Sequence, residues 1–489
     1  MIKEKLAKNT VFYVTALALQ KVLAFLYFII VARFVGVEDI GRLTFALSFT
    51  AVFGMVLDAG LTQVLIRDSA RNEDSFRPHL KNAIFFKLFG TILVYGLIVL
   101  MMNLLHYPEL TKQLVYISGL VMICDSFSLT FFGVIRGYHS LGYESLGVII
   151  NQVLIIIFGL IVLNLHLSLL FLVGVYLISS FVNMVYSGAI LKFKFKTSLF
   201  PAFNRQAMLN LLKMALPFAI AGVFVKLYSS MDIILLSKMA TEQAVGFYSV
   251  AYKVAFALQF IGVASLASVY PAFSAFFVSS KELLAKTFER VLFYMLLFSL
   301  PLTFGVISIA KEVIGPVFGA KYLGSINSLY ILMCCLPFAF LCFPAGAILN
   351  AAGRQTTNTV ILGITAISNI VLNLILIPKL SLIGSSIAAL VSYLIMFGIS
   401  MIIIDQVVKY NIKFLVVSTG KIILSCIAMS AIVILIRDQV HFIVAITVGA
   451  IVYFIALYFL KAISIPAIKE MVKTLTKKTA VENSEIIID

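Results

Sequence analysis

Charged residues are scarce in this chain of 489 residues. They account for 12% of the sequence, whereas soluble domains contain roughly a quarter, and hydrophobic residues account for 62%. With a mean hydropathy of +1.10, this composition excludes a soluble enzyme, a nucleic-acid-binding protein and a disordered chain as descriptions of the whole protein. It predicts an all-α integral membrane protein. The net charge of +16 is then explained by basic cytoplasmic loops rather than by nucleic acid as a partner.

Tryptophan is absent and cysteine is rare. The 20 tyrosines and 42 phenylalanines are expected to take the place of tryptophan at the membrane interfaces. The five cysteines lie in apolar runs, and none has zinc-ligand spacing with a histidine. We expect no disulfide framework. Cys334 and Cys335 are adjacent, and we interpret them as buried packing residues rather than as a redox pair.

Motifs for nucleotide and metal chemistry are also missing. The sequence contains no Walker A loop, no dinucleotide-binding glycine loop in a strand–helix context and no HExxH motif. The loops between hydrophobic runs are too short to form a separate catalytic domain. We therefore expect no cofactor, no metal site and no enzymatic activity. An ATP-driven pump is excluded unless a partner supplies the ATPase.

Long hydrophobic runs, by contrast, occupy most of the chain. Because one membrane span needs ~20 apolar residues, we predict about fourteen transmembrane helices, the first of which is an uncleaved span rather than a signal peptide. The predicted ranges are 10–32, 43–66, 83–105, 113–135, 146–165, 168–191, 214–236, 246–270, 288–310, 327–350, 357–377, 383–404, 416–436 and 442–460.

The distribution of basic residues predicts the orientation in the membrane. Most of the 37 Lys and Arg residues fall in loops on the same side as the N-terminus. Since basic loops stay on the cytoplasmic side, we expect a multi-pass protein of the cell membrane with both termini in the cytoplasm.

An internal repeat relates the two halves of the chain. A shift of about 205 residues places charged and glycine positions in register, which apolar composition alone would not produce. The repeat unit contains six spans, so both halves have the same orientation. We predict two six-helix lobes related by a pseudo-two-fold axis, followed by a C-terminal helix pair. The predicted boundaries are 1–200, 201–404, 405–460 and a cytoplasmic tail at 461–489. The matched pairs are Lys21 with Lys226, Arg33 with Lys238, Gly41 with Gly246 and Ala46 with Ala251.

Seven ionisable side chains fall within the predicted spans. Each costs roughly 2.5–3.5 kcal/mol at the centre of a span, so most of them must face a wet cavity, form ion pairs or extend to the membrane surface. They are Lys21, Lys87, Lys226, Lys253, Asp58, Asp125 and Asp232.

The lysines point to an anionic cargo. Lys21 and its repeat partner Lys226 are expected to meet in a central cavity, with Lys253 beside them, and Arg33 is included as a fourth substrate-binding residue. Lysine binds phosphate as a point charge, so the simplest cargo carries a phosphate group. A lateral opening between the lobes would leave a lipid tail in the bilayer. The alternative is a structural ion pair, for which Lys226 and Asp232 are candidates.

The remaining charges have several interpretations. Lys87 lies near the end of its span and is expected to extend to the membrane surface. Asp58 either caps a helix break or pairs with Arg67. Asp125 and Asp232 either partner the lysines or carry a proton or Na⁺.

The first two spans carry a family resemblance. They read VARFVGVEDIGRLTFALSF and VLDAGLTQVLIRDSARN, and they resemble the polysaccharide-biosynthesis flippases of O-antigen-translocase type in the multidrug/oligosaccharidyl-lipid/polysaccharide superfamily. The similarity extends over the whole chain in span number, repeat and loop lengths. The resembling elements are Gly36, Gly41, Leu43, the Asp58-Ala59-Gly60 step, Arg67, the stretch 136–147 and Gly353-Arg354.

The resemblance implies a V-shaped transporter of two lobes that works by alternating access. The implied cargo is an undecaprenyl-pyrophosphate-linked oligosaccharide, moved from the inner to the outer leaflet for surface polysaccharide synthesis. Lys21, Lys226 and Lys253 would form its cationic cavity. The implied partners are membrane lipids, the lipid-linked glycan, a polysaccharide polymerase and glycosyltransferases.

Three other functions compete with this hypothesis. A cation-coupled multidrug exporter of the same fold would need acidic residues in the cavity. A lipid II flippase shares a Val-Ala-Arg-x-x-Gly stretch, present here at 31–36, but this chain has Tyr27 and Phe28 where an Arg-Asp pair is expected. A membrane glycosyltransferase or polymerase is least favoured, because no activating base or large external loop is visible.

Overall fold

The computed structural model describes residues 2–71 and 76–462, and the predicted tail from residue 463 onward lies outside them. All regular secondary structure in the described part is helical. A π-helical turn at Ile190–Lys194 follows α7, and a 3₁₀ helix at Ala320–Ser325 precedes α13. The α-helices, in chain order, are α1 Ile2–Phe34, α2 Val37–Asp58, α3 Leu61–Arg71, α4 Phe76–Leu104, α5 Glu109–Gly137, α6 Leu141–Asn164, α7 Leu169–Ala189, α8 Arg205–Met239, α9 Glu242–Ala255, α10 Gln259–Ser279, α11 Lys281–Ser308, α12 Ala310–Phe318, α13 Ile326–Ala351, α14 Gln355–Leu380, α15 Leu382–Asp405, α16 Ile412–Ile436 and α17 Phe442–Phe459.

Several helices begin at side-chain caps that the sequence provides. At four starts, the side-chain oxygen of the capping residue accepts a hydrogen bond from the backbone N–H three residues later. Each bond satisfies one backbone donor that a helix leaves free in its first turn. These caps end the short loops and set the register of the following helix. The four are Asn204 for α8, Thr241 for α9, Ser280 for α11 and Asn411 for α16.

The number of membrane-spanning helices is close to the prediction. Within the described residues, 13 helices are long and apolar enough to cross a membrane. The difference arises at the predicted span 246–270, which is divided between α9 and α10 by a turn at Phe256–Leu258. The turn contains neither glycine nor proline, so no local sequence signal marked the break.

A second predicted span is also divided. The range 43–66 is replaced by α2, which ends at Asp58, and the short helix α3. Between them, Ala59 and Gly60 adopt left-handed backbone angles, with φ of 46° and 72°. A Cβ atom on Gly60 would lie 2.5 Å from the backbone oxygen of Ala215 in α8, so glycine is required both by the turn and by the close approach of α8.

The two lobes repeat the same order of helices, as predicted. Helices α1 and α8 end at Phe34 and Met239, and α2 and α9 begin at Val37 and Glu242, in each case about 205 residues apart. The hairpin α16–α17 packs on α11 and lies outside the repeat. Helix α8 contacts α2 and α3 of the first lobe as well as α14 of the second. The boundaries at 200, 404 and 460 therefore stay predictions.

Candidate functional site

Helices α2 and α9 cross in direct backbone contact where they begin. A Cβ atom on Gly246 would lie 2.0 Å from the Val37 carbonyl oxygen, and Gly41 makes the corresponding contact with Glu242. Val37 and Glu242 are themselves matched by the repeat shift, so each helix presents the same pair of positions to the other. This self-complementary contact is what a two-fold axis requires. We call residues 33–42 and 238–246 the closed end.

Arg33 and its repeat partner Lys238 also make corresponding contacts at the closed end. The Arg33 guanidinium donates to the carbonyl oxygens of Val317, at 2.7 Å, and Pro316 in the second lobe. Lys238 donates to the Leu105 carbonyl oxygen, at 2.7 Å, in the first lobe. Twelve residues of α1 separate Arg33 from Lys21, which corresponds to roughly 18 Å. The structure therefore does not bring Arg33 to the lysines with which it was predicted to bind substrate.

Further polar contacts join the lobes beside this crossing. Arg42 forms an ion pair with Glu242, whose carboxylate also accepts a hydrogen bond from Thr111 at 3.2 Å. Lys321 donates to the backbone oxygens of Arg33 and Val35 at 3.0 and 2.6 Å. Each of these contacts has one member in either lobe, so separation of the lobes at the closed end must break them all.

A cavity of about 490 Å³ lies between the lobes. Lys226 of α8 and Lys253 of α9 line it, together with residues of α1, α2, α6 and α7. Lys21 lies close by on α1, and its charge interacts with those of Lys226 and Lys253. The structure thus brings together the three lysines that the sequence analysis selected.

None of these three ammonium groups has a carboxylate partner within the part of the chain that the structure describes. Lys253 has an aromatic neighbour, with its Nζ 5.5 Å from the centre of the Phe28 ring. The side chains of Lys21 and Lys253 are exposed. Lys21 lies well inside α1, and Lys253 lies in the last turn of α9. Three unpaired cations that repel one another would be stabilised by a bound anion.

A second cavity of about 350 Å³ shares Lys226 with the first. Asp58 and Asp125 line this second cavity. Asp125 is exposed to it and lies within hydrogen-bonding reach of Ser180. Lys226 therefore lies between the cavity that contains Lys253 and the cavity that contains Asp58 and Asp125.

Asp58 forms a buried ion pair that the sequence analysis did not predict. Its Oδ1 lies 2.9 Å from the Nζ of Lys87, which is completely buried and also donates to the backbone and side-chain oxygens of Ser126 at 2.8 Å. The expectation that Lys87 extends to the membrane surface is therefore wrong. Arg67 pairs with Asp68 at 2.9 Å and not with Asp58. Of the two alternatives given for Asp58, a helix break and a pair with Arg67, the structure has the break, although the predicted span 43–66 was continuous.

Asp232 lies in the second lobe, in a pocket of about 10 Å³. Its carboxylate accepts hydrogen bonds from the Tyr248 hydroxyl at 2.7 Å and from the side-chain amides of Asn369 and Asn373 at 2.9 and 2.7 Å. It makes no ion pair with Lys226 among the described residues, so the structural alternative to a functional Lys226 is not formed.

The two asparagines beside Asp232 were missed by the sequence analysis. They are four residues apart and therefore share one face of α14. Two amides at this spacing in an apolar run were the available signal. The Lys87–Asp58 pair also had a signal, because its members are oppositely charged residues in consecutive predicted spans.

A model of the polysaccharide biosynthesis protein family matches residues 6–277, which is more than half of the chain. The chain belongs to this family. An uncharacterized membrane protein of Methanocaldococcus jannaschii, MJ1068, is 23% identical over 511 residues, covering 97% of this chain and 99% of the relative. The probable low-salt glycan biosynthesis flippase Agl15 of Haloferax volcanii is 25% identical over 197 residues, which cover 40% of this chain and 41% of that protein.

Two groups of solved structures share the fold. The lipid II flippase MurJ, in an inward closed conformation, superimposes with a TM-score of 0.76 at 18% identity, covering 92% of this chain and 99% of MurJ. An inward-facing multidrug resistance MATE transporter of the MOP superfamily gives a TM-score of 0.63 at 15% identity, covering 79% and 95%. The chain therefore has the MOP superfamily fold. Family and fold together are those of a flippase-like membrane transporter.

Proposed function

We propose that the protein moves an undecaprenyl-pyrophosphate-linked oligosaccharide from the inner to the outer leaflet by alternating access. The observation that carries this proposal is the cluster of Lys21, Lys226 and Lys253 at a cavity between the lobes, without carboxylate partners in the described residues. A pyrophosphate group supplies the negative charge that the cluster lacks. Flexible lysines suit a ligand that must be both bound and released.

An apolar groove supports a cargo with a lipid tail. It has a volume of about 760 Å³ and runs between α11, α13, α15 and α16. Nearly all of its lining side chains are apolar, such as Leu296, Phe338 and Leu415. Helix α16 of the appended hairpin contributes one wall, which gives this helix outside the repeat a role. A prenyl chain fits this groove chemically, since its transfer from the bilayer leaves no polar group unpaired.

The orientation predicted from the basic loops places the closed end at the outer side of the cell membrane, with both termini in the cytoplasm. The lysine cluster would then load from the cytoplasmic leaflet while the lobes stay joined at residues 33–42 and 238–246. Release requires the closed end to separate. The released glycan would be the substrate of a polysaccharide polymerase, and glycosyltransferases on the cytoplasmic side would supply it.

Asp232 is the proposed ion-coupling carboxylate, and Asp125 is a second candidate. The Asp232 pocket shares Tyr252 with the central cavity, and Tyr252 is adjacent to Lys253. A change of charge at Asp232 therefore reaches the lysine cluster through one helix, α9. The side-chain oxygen of Asn373 lies buried there without a hydrogen-bond partner, which suits Na⁺ or a proton on Asp232.

The proposal is tested by replacing Lys21 and Lys226 with Ala and measuring delivery of lipid-linked glycan to the outer leaflet. The matched control is Lys286→Ala, which removes an exposed lysine of α11 from outside the cavities. We expect the double variant to lose at least about tenfold in delivery, and the control to retain it. Undiminished delivery by the double variant at normal protein levels would remove the proposed mechanism.

A cation-coupled drug exporter is the second candidate function. It is favoured by Asp58 and Asp125 at the second cavity, because a carboxylate at a binding cavity attracts cationic compounds. The Asp58 charge is, however, paired with Lys87. Dye efflux that depends on Asp125 but not on Lys21 would favour this candidate over the glycan flippase.

A further inference from the structure

The two walls of the central cavity differ in charge. On one side, α8 and α9 contribute Lys226 and Lys253. On the other, the side chains of α1, α2, α6 and α7 that line the cavity in the described part of the protein are all uncharged, and Lys21 of α1 lies beside the cavity without lining it. We call the three carboxamides of this second side, which are Gln20, Asn151 and Gln152, the amide wall.

Two carboxamides of the amide wall are hydrogen-bonded to each other, and the side-chain oxygen of the third lacks a partner. The Gln20 Nε2 donates to the Gln152 Oε1 at 3.2 Å, and Gln152 is only 3% exposed. The neighbouring side-chain oxygen of Asn151 is buried and has no hydrogen-bond partner in the protein. Buried polar atoms of folded proteins are nearly always paired. An unpaired acceptor at the wall of a cavity therefore points to a donor supplied by a ligand.

We infer that the amide wall binds the sugar residue next to the pyrophosphate, and that this sugar is uncharged. The inference rests on the proposed function, in which Lys226 and Lys253 hold the pyrophosphate against α8 and α9. A sugar attached to that group then faces α1 and α6 across the cavity. Amides both donate and accept hydrogen bonds, as sugar hydroxyls do, and the amide wall offers no charged partner for an acidic or amino sugar.

The specificity of such a wall comes from the penalty for leaving its amides unpaired. A site built to bind a hydroxyl group discriminates strongly against a ligand that lacks it. The lysine cluster contributes equally to every lipid pyrophosphate, whereas the amide wall contributes only when the correct sugar is present. The two parts of the cavity are therefore separable by experiment.

The test measures binding of two radiolabelled lipids to the full-length protein in lipid nanodiscs. One is farnesyl pyrophosphate, and the other is farnesyl pyrophosphate carrying a single N-acetylhexosamine. The variants are Asn151→Leu and Gln152→Leu. The matched control is Asn183→Leu, because the Asn183 oxygen is also buried and unpaired in the first lobe but does not line the cavity.

We expect the unmodified protein to bind the sugar-bearing lipid about tenfold more tightly, as one hydrogen bond at a buried site allows. Asn151→Leu and Gln152→Leu should abolish this gain and leave binding of farnesyl pyrophosphate unchanged, while Asn183→Leu should preserve both. Equal affinity of the unmodified protein for the two lipids, or equal weakening of both by Asn151→Leu, would overturn the sugar site. Failure of the unmodified protein to bind either lipid would instead overturn the proposed function.

Discussion

Gly41 of α2 lies in backbone contact with Glu242 of α9, so that a Cβ atom on Gly41 would stand 2.0 Å from the Glu242 carbonyl oxygen. This distance is well inside van der Waals contact, and the obstacle is backbone rather than a movable side chain. Because the contact is repeated between Gly246 and Val37, the closed end depends on two glycines that the repeat places in equivalent positions.

Gly41→Ala is expected to hold the closed end apart. Alanine favours a helix by about 1 kcal/mol over glycine, but this local gain cannot offset a backbone overlap, so the lobes must separate. The measurement is maleimide labelling of a cysteine at Val245, which is 1% exposed, in a background without the five native cysteines. Labelling should accelerate by at least about tenfold.

The control for this prediction is Gly96→Ala, since a Cβ atom on Gly96 would have nothing within 4 Å. That variant should label as slowly as the parent. An unchanged labelling rate in Gly41→Ala would show that the glycine contact does not keep the lobes together at the closed end.

Arg33→Gln and Lys238→Gln are expected to weaken the closed end to similar extents. Each removes a cation from backbone carbonyl oxygens of the opposite lobe, at donor–acceptor distances of 2.7 Å. Because both side chains are exposed, each should shift the open fraction by less than about tenfold. The two contacts are separate, so the double variant should add the two effects. Spin-label distances across the closed end measure the shift, and a large effect of one variant with none of the other would contradict the two-fold arrangement.

The prediction of the fold from the sequence succeeded where long-range periodicity carried the information. The hydrophobic runs gave the helices, and the matched pairs Lys21 with Lys226 and Gly41 with Gly246 gave the two lobes. It failed at Phe256–Leu258, because a break without glycine or proline depends on how neighbouring helices pack. It also failed for Lys87, because depth in the membrane does not reveal which residue faces a side chain across the bundle.

The candidate site was predicted in part for the same reason. In-membrane lysines are rare enough to be noticed singly, and three of them do lie together. Asn151 and Gln152 carry no charge, so no cost of burial drew attention to them. Arg33 was matched with Lys238 by the repeat. A repeat predicts that two residues occupy equivalent positions, but it does not predict whether those positions bind substrate.

Lys87→Met is expected to destabilise the protein strongly. It leaves the Asp58 carboxylate buried without its ion-pair partner, which costs about 3–5 kcal/mol. Adding Asp58→Asn should recover most of the loss, since no buried charge then remains. Thermal unfolding in detergent measures both steps.

The control for Lys87 is Lys226→Met. It removes a cavity lysine that has no carboxylate partner in the described residues and is repelled by Lys21. This variant should unfold at the same temperature as the parent or above it. Equal destabilisation by the two lysine variants would mean that the Asp58 pair contributes nothing specific.

Asp232→Asn is expected to remove the dependence of transport on the coupling ion. Asparagine keeps the shape of the side chain, but it cannot carry the negative charge that attracts Na⁺ or a proton. Delivery of lipid-linked glycan is measured as Na⁺ and pH are varied, with Asp125→Asn as the parallel variant. If Asp232→Asn lowers thermal stability but transport stays fully sensitive to Na⁺ and pH, the Asp232 carboxylate is structural. If Asp125→Asn instead removes that sensitivity, Asp125 in the second cavity is the ion-coupling carboxylate.

Gly420→Trp is expected to block the apolar groove and so to distinguish lipid tails by length. Gly420 lines the groove on α16, and a Cβ atom there would have open space around it, so an indole fits only by occupying the space proposed for the prenyl chain. Val417 lies three residues earlier on the same helix, is 49% exposed and does not line the groove. Val417→Trp is therefore the matched control.

Binding of a long-chain prenyl pyrophosphate should weaken by about tenfold or more in Gly420→Trp, while farnesyl pyrophosphate, which is held mainly by the lysines, should bind as in the control. If Gly420→Trp weakens binding of both lipids equally, the long tail does not occupy the groove. The substitution would then affect only what the two lipids share, which is the pyrophosphate bound by the lysine cluster.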